Sequence, residues 1–258
     1  MDIKLTFDEK LAENYKSPSQ KSRIFTEEWV KRYGFCPSCG YSFLNKYPNN
    51  RPVADFYCQQ CKEEYELKSK KGIISTKITD GEYSTKIERL KSSSNPNLLI
   101  LNYDLLNLSV INFFAIPKHF FVPEIIEKRK PLSDNAQRAG WIGSNILLQK
   151  IPQAGKIFII RQQKIEPRKK IISAWKKTLF LRDKEEMSAK GWLLDIMRCI
   201  DSISKKEFTL EEIYIFENEL QQSHPDNKNI KAKIRQQLQI LRDKGYLDFV
   251  KRGYYRIL

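Results

Sequence analysis

The stretch RPVADFYCQQCKEEYELKSK, residues 51–70, decides the fold of this chain. It places a Cys-Gln-Gln-Cys knuckle between two short segments that carry Asp55 and Glu66. If the knuckle reverses the chain, these segments form adjacent antiparallel strands. Side chains two residues apart on a strand share a face, so Glu66 and Lys68 are predicted to stand beside Asp55. Two carboxylates and an ammonium would suit a hard cation such as Mg²⁺, which prefers oxygen ligands.

Four of the five cysteines form two CxxC knuckles, with 18 residues between the knuckles. The first knuckle contains Cys36 and Cys39, and the second contains Cys58 and Cys61. Two knuckles can supply four thiolates to one tetrahedral ion, which leaves no open position for water. We therefore predict a structural Zn²⁺ site with these four ligands. Disulfide bonds are the alternative, and a reducing compartment disfavours them.

The chain is strongly basic, and its excess charge lies in the first 183 residues. The 258 residues carry a formal charge of +15, with a pI near 9.5. Residues 1–183 hold 32 basic and 19 acidic side chains, whereas residues 184–258 hold 14 and 12. A large positive field attracts polyanions and favours nucleic acid as the partner. Solubility alone is the alternative, but the eight basic side chains within residues 161–182 disfavour it.

Several functional classes lack support in the sequence. The first residues contain no apolar run of signal-peptide length, and no apolar run approaches the ~20 residues of a membrane helix. We therefore expect a soluble, cytoplasmic protein that does not bind a membrane. Only two histidines occur, His119 and His224, and neither lies near the partners of a catalytic triad or a histidine metal site. The chain has no G-x-G-x-x-G or phosphate-binding loop, so no nucleotide cofactor is expected.

The pattern outside the knuckles predicts a mixed α/β fold. Helical periodicity covers residues 18–33 and 77–91, and apolar strands are predicted at 98–103, 109–116 and 156–160. These elements would form a mixed sheet covered by helices.

The candidate cation site fits this fold. Pro52, Asp55, Glu66 and Lys68 resemble the PD-(D/E)xK motif of a nuclease class with such a core, with one extra residue after the proline. The alternative is a solvated strand face with a cross-strand ion pair worth less than about 1 kcal/mol.

The C-terminal residues predict a winged helix, which is a DNA-binding arrangement of helices followed by a small hairpin. One helix is expected at 208–220, capped by Thr209, and a second at 229–245. Residues 246–258 alternate and turn at Gly253, as a hairpin does.

The second of these helices and one loop supply the predicted DNA contacts. Entry of the helix into a major groove would expose its basic and amide side chains to DNA, although an ordinary solvated face is the alternative. The predicted contacts on this helix are Asn229, Lys231, Lys233, Arg235 and Gln236. Arg138 and Trp141 lie in a glycine-flanked loop that could present an aromatic ring to the duplex. Packing of Trp141 in the core is the other possibility.

Longer segments resemble the DpnI-type methyl-directed restriction endonucleases. They are SQKSRIFTEEWV (19–30), the two knuckles, NNRPVADFYC (49–58), YELKSKKG (65–72), QRAGWIG (137–143) and KIRQQLQILRDK (233–244). The resemblance implies a PD-(D/E)xK endonuclease domain at 1–183 with an inserted zinc site, and a winged-helix domain at 184–258. It also implies Mg²⁺-dependent cleavage of double-stranded DNA at GATC sites that contain N6-methyladenine.

The mechanism expected on this basis assigns roles to four residues. Asp55, Glu66 and the backbone carbonyl of Leu67 would hold Mg²⁺. Lys68 would orient or deprotonate the attacking water and offset the charge that develops on the phosphate. Two recognition modules in one chain permit a monomer. Two alternatives stay open: a non-catalytic DNA-binding regulator built from a zinc ribbon and a winged helix, and a nuclease of the same class with a different specificity.

Overall fold

The computed structural model describes residues 3–48, 54–92, 94–182 and 187–258, and these residues form two compact units. The first unit runs to Gln149 and resumes at Ala154–Lys176, while Lys150–Gln153 and Lys177–Leu258 form the second. Pro52 of the predicted nuclease motif lies outside the described residues. No described helix is long and apolar enough to cross a membrane.

The first unit contains ten strands and three α-helices in its described residues. The strands are β1 (Asn45–Lys46), β2 (Phe56–Tyr57), β3 (Glu64–Lys71), β4 (Lys77–Glu82), β5 (Asn97–Asp104), β6 (Ser109–Ile116), β7 (Ile126–Lys128), β8 (Gly143–Leu147), β9 (Ile157–Arg161) and β10 (Lys164–Ile165). The helices are α1 (Pro18–Tyr33), α2 (Tyr83–Lys91) and α3 (Arg168–Lys176). Short 3₁₀ turns lie at Glu9–Ala12, Lys118–Phe120, Pro123–Ile125, Leu148–Lys150 and Gln153–Gly155.

A seven-stranded mixed sheet forms the core of this unit. Its order is β1-β2-β3-β5-β6-β9-β10, and β3 and β5 pair in parallel while the other neighbours are antiparallel. Residues 97–103 of β5 are all buried, as expected for a central strand covered on both faces. The predicted mixed α/β fold is confirmed: α1 coincides with 18–33, and β5, β6 and β9 match the three predicted strands.

A second, three-stranded sheet shows that the helix predicted at 77–91 is partly wrong. Its order is β4-β8-β7, with antiparallel pairing throughout. Lys77–Glu82 forms β4, and its side chains alternate between exposed and buried positions. The helix begins only at Tyr83, where the Glu82 carboxylate accepts hydrogen bonds from the N–H groups of Ser84 and Thr85. Pairing with the distant β8 therefore overrides the local helical pattern.

The second unit has the predicted helices and hairpin, with one difference. Its elements are α4 (Met187–Ile203), β11 (Glu207–Thr209), α5 (Leu210–Tyr214), α6 (Glu217–Ser223), α7 (Ile230–Asp243), β12 (Leu247–Lys251) and β13 (Tyr254–Ile257), with a 3₁₀ turn at Leu179–Leu181. The helix predicted at 208–220 is instead two short helices, because Phe216 leaves helical geometry at φ −83° and ψ 6°. Thr209 and Glu212 form the predicted capping box. The hairpin turns at Gly253, whose φ of +75° favours glycine.

Candidate functional site

The second knuckle turns the chain back so that Asp55 lies against β3. Phe56 pairs with Tyr65, and Tyr57 pairs with Glu64. The Asp55 N–H donates to the Tyr65 carbonyl at 2.9 Å. The Leu67 N–H donates to Asp55 Oδ2 at 2.7 Å, which fixes the carboxylate beside the strand that carries Glu66. The predicted hairpin thus brings the Asp55 carboxylate to β3 at the level of Glu66 and Leu67.

Lys68 lies between two carboxylates on this face of β3. Its Nζ is 2.6 Å from Glu66 Oε1 and 2.7 Å from Asp80 Oδ1. Lys86 Nζ lies 2.9 Å from Asp80 Oδ2 and 3.6 Å from Glu66 Oε2. Glu66, Lys68, Asp80 and Lys86 therefore form a closed ring of alternating charge, which we call the charge ring.

Burial and charge set the protonation of these groups. Burial raises the pKa of the Asp55 carboxyl, the hydrogen bond from Leu67 opposes this rise, and the charge of Glu66 adds to it. Burial alone would lower the pKa of Lys68, but Glu66 and Asp80 hold it well above its usual value. Burial alone would raise the pKa of Asp80, but Lys68 and Lys86 hold it well below its usual range. At neutral pH, Lys68 is therefore an ammonium and Asp80 a carboxylate.

The donor atoms on this face are of the type that a hard cation binds. Asp55 and Glu66 offer carboxylate oxygens, the ligand type that Mg²⁺ prefers, and both side chains are only partly buried. Glu66 already contacts two ammonium groups, so a cation bound there would share the carboxylate with them. In the structure, the backbone N–H of Leu67 holds Asp55 in place.

Two members of the charge ring, Asp80 and Lys86, were not predicted from the sequence. Asp80 lies on β4 and Lys86 on α2, both outside the central sheet. The only local signal was the alternation in KITDGE, residues 77–82, which is typical of a strand with one buried face. That pattern would have placed Asp80 on the buried face but would not have shown which residue it pairs with.

The four knuckle cysteines converge as predicted, and the cluster could hold zinc. Their Sγ atoms all lie within 4.8 Å of one another, and all four are free thiols rather than disulfides. Burial would raise the pKa of Cys58, but the N–H groups of Cys61 and Gln60 lower it below its ordinary value. Burial raises the pKa of Cys36 beyond its usual range. A bound divalent ion is the group that would hold all four as thiolates.

The cysteine cluster lies directly behind the strand that carries Glu66. The hydroxyl of Tyr65 is 3.1 Å from Cys36 Sγ, and Tyr65 is fully buried. Its ring lies 6.3 Å from that of Trp175 on α3. Tyr65 therefore links the four-cysteine cluster to β3 one residue before Glu66.

Trp141 lies at the surface, on the connection between β7 and β8, and not in the core. Its side chain is partly exposed, and the Arg138 guanidinium lies 4.9 Å from the ring centre. The ring packs on Gly143, where a Cβ would approach Trp141 to 2.7 Å, so a larger residue there would require the ring to shift. The structure thus brings Arg138 and Trp141 together on the connection between β7 and β8, while their DNA contacts stay a prediction.

The side chains predicted to contact DNA from the C-terminal helix lie at one end of α7. Asn229, Lys231, Arg235 and Gln236 are exposed, whereas Lys233 is half-buried and lies 5.8 Å from the centre of the Trp192 ring.

Two of the exposed bases also have partners within their own unit. Lys231 Nζ is 3.4 Å from Glu217, and Arg235 donates to the Tyr214 hydroxyl at 2.6 Å. These residues are accessible to DNA, and contact with a phosphate would compete with their present partners.

Comparison with known families covers almost the whole chain. The model described as the Dam-replacing family, named DpnI, matches residues 3–184, and the Dam-replacing HTH domain matches residues 188–257. The chain belongs to the DpnI Dam-replacing family. Membership indicates a methyl-directed restriction enzyme, and hence a nuclease.

The two family matches correspond to different tasks. The Dam-replacing match contains the four cysteines, the β2–β3 hairpin and the charge ring. The HTH match contains α7 and the terminal hairpin, the elements that a winged helix uses to bind DNA. The HTH domain and the nuclease family together point to DNA as the partner of this DpnI-family protein.

Proposed function

We propose that this protein is a Mg²⁺-dependent endonuclease that cuts double-stranded DNA at GATC sites containing N6-methyladenine. The observation that carries the proposal is the placement of Asp55, Glu66 and Lys68 at one level of the β2–β3 hairpin. Membership of the DpnI family supports the methylated GATC site, and the four-cysteine cluster supports a structural Zn²⁺. We propose that it acts as a monomer.

The residues of the hairpin would divide the chemistry among them. Asp55, Glu66 and the Leu67 carbonyl would hold Mg²⁺, and the chemistry that the ion would supply there is polarisation of the scissile phosphate and a lower pKa for a bound water. The Leu67 N–H keeps the Asp55 carboxylate aimed at this place. Lys68, which stays charged, orients the attacking water and offsets the charge that develops on the phosphate.

The remaining residue roles concern recognition. Trp141, with Arg138 stacked on it, would contact the duplex from the β7–β8 connection. Asn229, Lys231, Lys233, Arg235 and Gln236 would face DNA from α7. Under this assignment, each unit carries its own DNA-contacting surface.

Two other functions would give different results in a DNA cleavage experiment. A non-catalytic regulator would use the same surfaces without cutting, but it would not need the partly buried Lys68 ammonium held between two carboxylates. Nucleases of the same class with another specificity would share the site and differ only in the DNA they cut.

Digestion of plasmid DNA separates these functions. Plasmid from a methylating host should be cut in Mg²⁺ and left intact in excess chelator, and plasmid from a non-methylating host should survive. Cleavage of both plasmids would indicate a different specificity, and cleavage of neither would indicate a regulator.

A variant matched in shape tests the site itself. Asp55→Asn keeps an acceptor for the Leu67 N–H and removes the charge, so we expect cutting to fall by at least about 100-fold while DNA binding persists. Glu127→Gln, which alters an exposed ion pair with Lys77, is the control and should cut normally. Normal cutting by Asp55→Asn would show that the site assignment is wrong.

A further inference from the structure

The charge ring contains two charged side chains that have no role in the proposed reaction. Asp55, Glu66 and Lys68 have assigned roles, whereas Asp80 and Lys86 have none. Yet Asp80 contacts Lys68 at 2.7 Å and Lys86 at 2.9 Å, so the two residues are directly joined to the proposed site.

Burial of the charged side chains of Asp80 and Lys86 costs folding free energy. The side chain of Asp80 is 3% exposed and that of Lys86 is 8% exposed. Removing two charges from water costs free energy that their mutual attraction often only matches, so a buried pair is weak evidence for a role in stability. Lys86 Nζ also lies 5.5 Å from the centre of the Phe121 ring, which contributes to holding the ammonium inside the unit.

Asp80 and Lys86 lie on the two elements that follow β3, the strand of Glu66 and Lys68, in the sequence. Asp80 is the last buried position of β4, and Lys86 lies one turn into α2. The strand-to-helix junction at Glu82 and Tyr83 therefore directs both side chains towards Glu66 and Lys68. A single structural feature, the break between β4 and α2, completes the ring.

We propose that Asp80 and Lys86 are positioning residues that set the charge around Glu66 and thereby its affinity for a divalent cation, an inference that rests on the proposed function. The negative charge of Asp80 partly balances the positive charges of Lys68 and Lys86, which it contacts. Without the charge of Asp80, Glu66 alone would balance Lys68 and Lys86, which it already contacts at 2.6 and 3.6 Å, so both ammonium groups would compete more strongly with a cation for Glu66. Lys86 acts in the opposite sense, because its charge lies 3.6 Å from Glu66 Oε2.

This assignment makes predictions of opposite sign for two variants. Asp80→Asn should weaken Mn²⁺ binding by about tenfold or more, because it removes a unit charge a few ångströms from the site. Lys86→Met should tighten Mn²⁺ binding by a similar factor, and Lys86→Arg should leave it near the wild-type value. The double variant Asp80→Asn/Lys86→Met should return to within about threefold of wild type, because it removes one charge of each sign and leaves the net charge near Glu66 unchanged.

Calorimetric titration of the zinc-loaded full chain with Mn²⁺ measures these affinities without DNA cleavage. The Mg²⁺ concentration at half-maximal cutting should rise in Asp80→Asn and fall in Lys86→Met, which provides a second measurement. The pair Lys77 and Glu127 is the matched control, since it joins β4 to β7 at 2.9 Å and is exposed. Lys77→Met/Glu127→Gln should leave both values unchanged.

A purely structural role for Asp80 and Lys86 gives a different result. Both single variants would then lower the melting temperature, and Mn²⁺ affinity would stay constant or fall in both. Either outcome would overturn the inference. If the wild-type protein fails to cut methylated DNA but its Mn²⁺ affinity still shifts with opposite sign in the two variants, the proposed function fails and the positioning roles stand. If it cuts and the shifts have the same sign, only the positioning roles fail.

Discussion

Replacement of Tyr65 by Phe should weaken zinc binding without altering the packing of the sheet. The Tyr65 hydroxyl lies 3.1 Å from Cys36 Sγ, and the residue is fully buried. A zinc-bound Cys36 is a thiolate, so the hydroxyl must donate this hydrogen bond. Hydrogen bonds to charged groups contribute about 1.5–3 kcal/mol, and about 1.4 kcal/mol corresponds to a tenfold change in affinity. We therefore expect Tyr65→Phe to lower zinc affinity by roughly 10- to 100-fold, as other losses of a ligand's hydrogen-bond partner do.

Competition with a chromophoric zinc chelator measures this affinity directly. The Phe ring would keep the contact of Tyr65 with Trp175, so the loss would be confined to one hydroxyl group. Tyr57→Phe on the neighbouring strand is the control, because its ring stacks on Tyr47 and its hydroxyl makes no hydrogen bond to the described residues. That variant should bind zinc as the wild type does.

The alternative is that Tyr65 acts only through its ring. Zinc affinity within about threefold of wild type for Tyr65→Phe would refute the link between the cysteine cluster and β3. Equal losses of affinity in Tyr65→Phe and Tyr57→Phe would refute it too, because only Tyr65 contacts a thiolate.

Two further predictions follow from surface features of the first unit. Trp141→Ala should keep its melting temperature, since the partly exposed ring lies against Gly143 and Arg138 at the surface, but should cut methylated DNA about tenfold more slowly in a plasmid assay. Hydrogen bonds from the N–H and side chain of Thr85, and then from the hydroxyl and N–H of Ser84, lower the pKa of Glu82 to about 2. Because the folded pKa lies below the unfolded value of about 4.3, this cap stabilises α2 fully above pH 4.3 and is lost as the pH falls towards 2. The melting-temperature difference between wild type and Glu82→Gln should therefore shrink over that range, and a constant difference would contradict this reasoning.

The local sequence pattern was sufficient to predict contacts between residues that are close together in the chain. Asp55 and Glu66 are 11 residues apart, and the knuckle between them can close only by turning the chain back. The alternation of side chains on a strand then decides which residues share a face. For this reason the hairpin, the four cysteines and the pairing of Glu66 with Lys68 could be predicted from residue spacing alone.

The features that could not be predicted depend on contacts between segments that are distant in the sequence. The segment 77–82 contains residues that fit either a helix or a strand, and it became β4 because β8, more than 60 residues later, pairs with it from Lys77 to Glu82. A helix through this segment would have given Asp80 a different direction, so the charge ring depends on that long-range pairing. The same limit applies to α7, where Arg235 contacts Tyr214 across 21 residues. A sequence pattern shows that Arg235 is on the polar face of the helix, but only the fold shows that DNA would have to compete with a tyrosine for it.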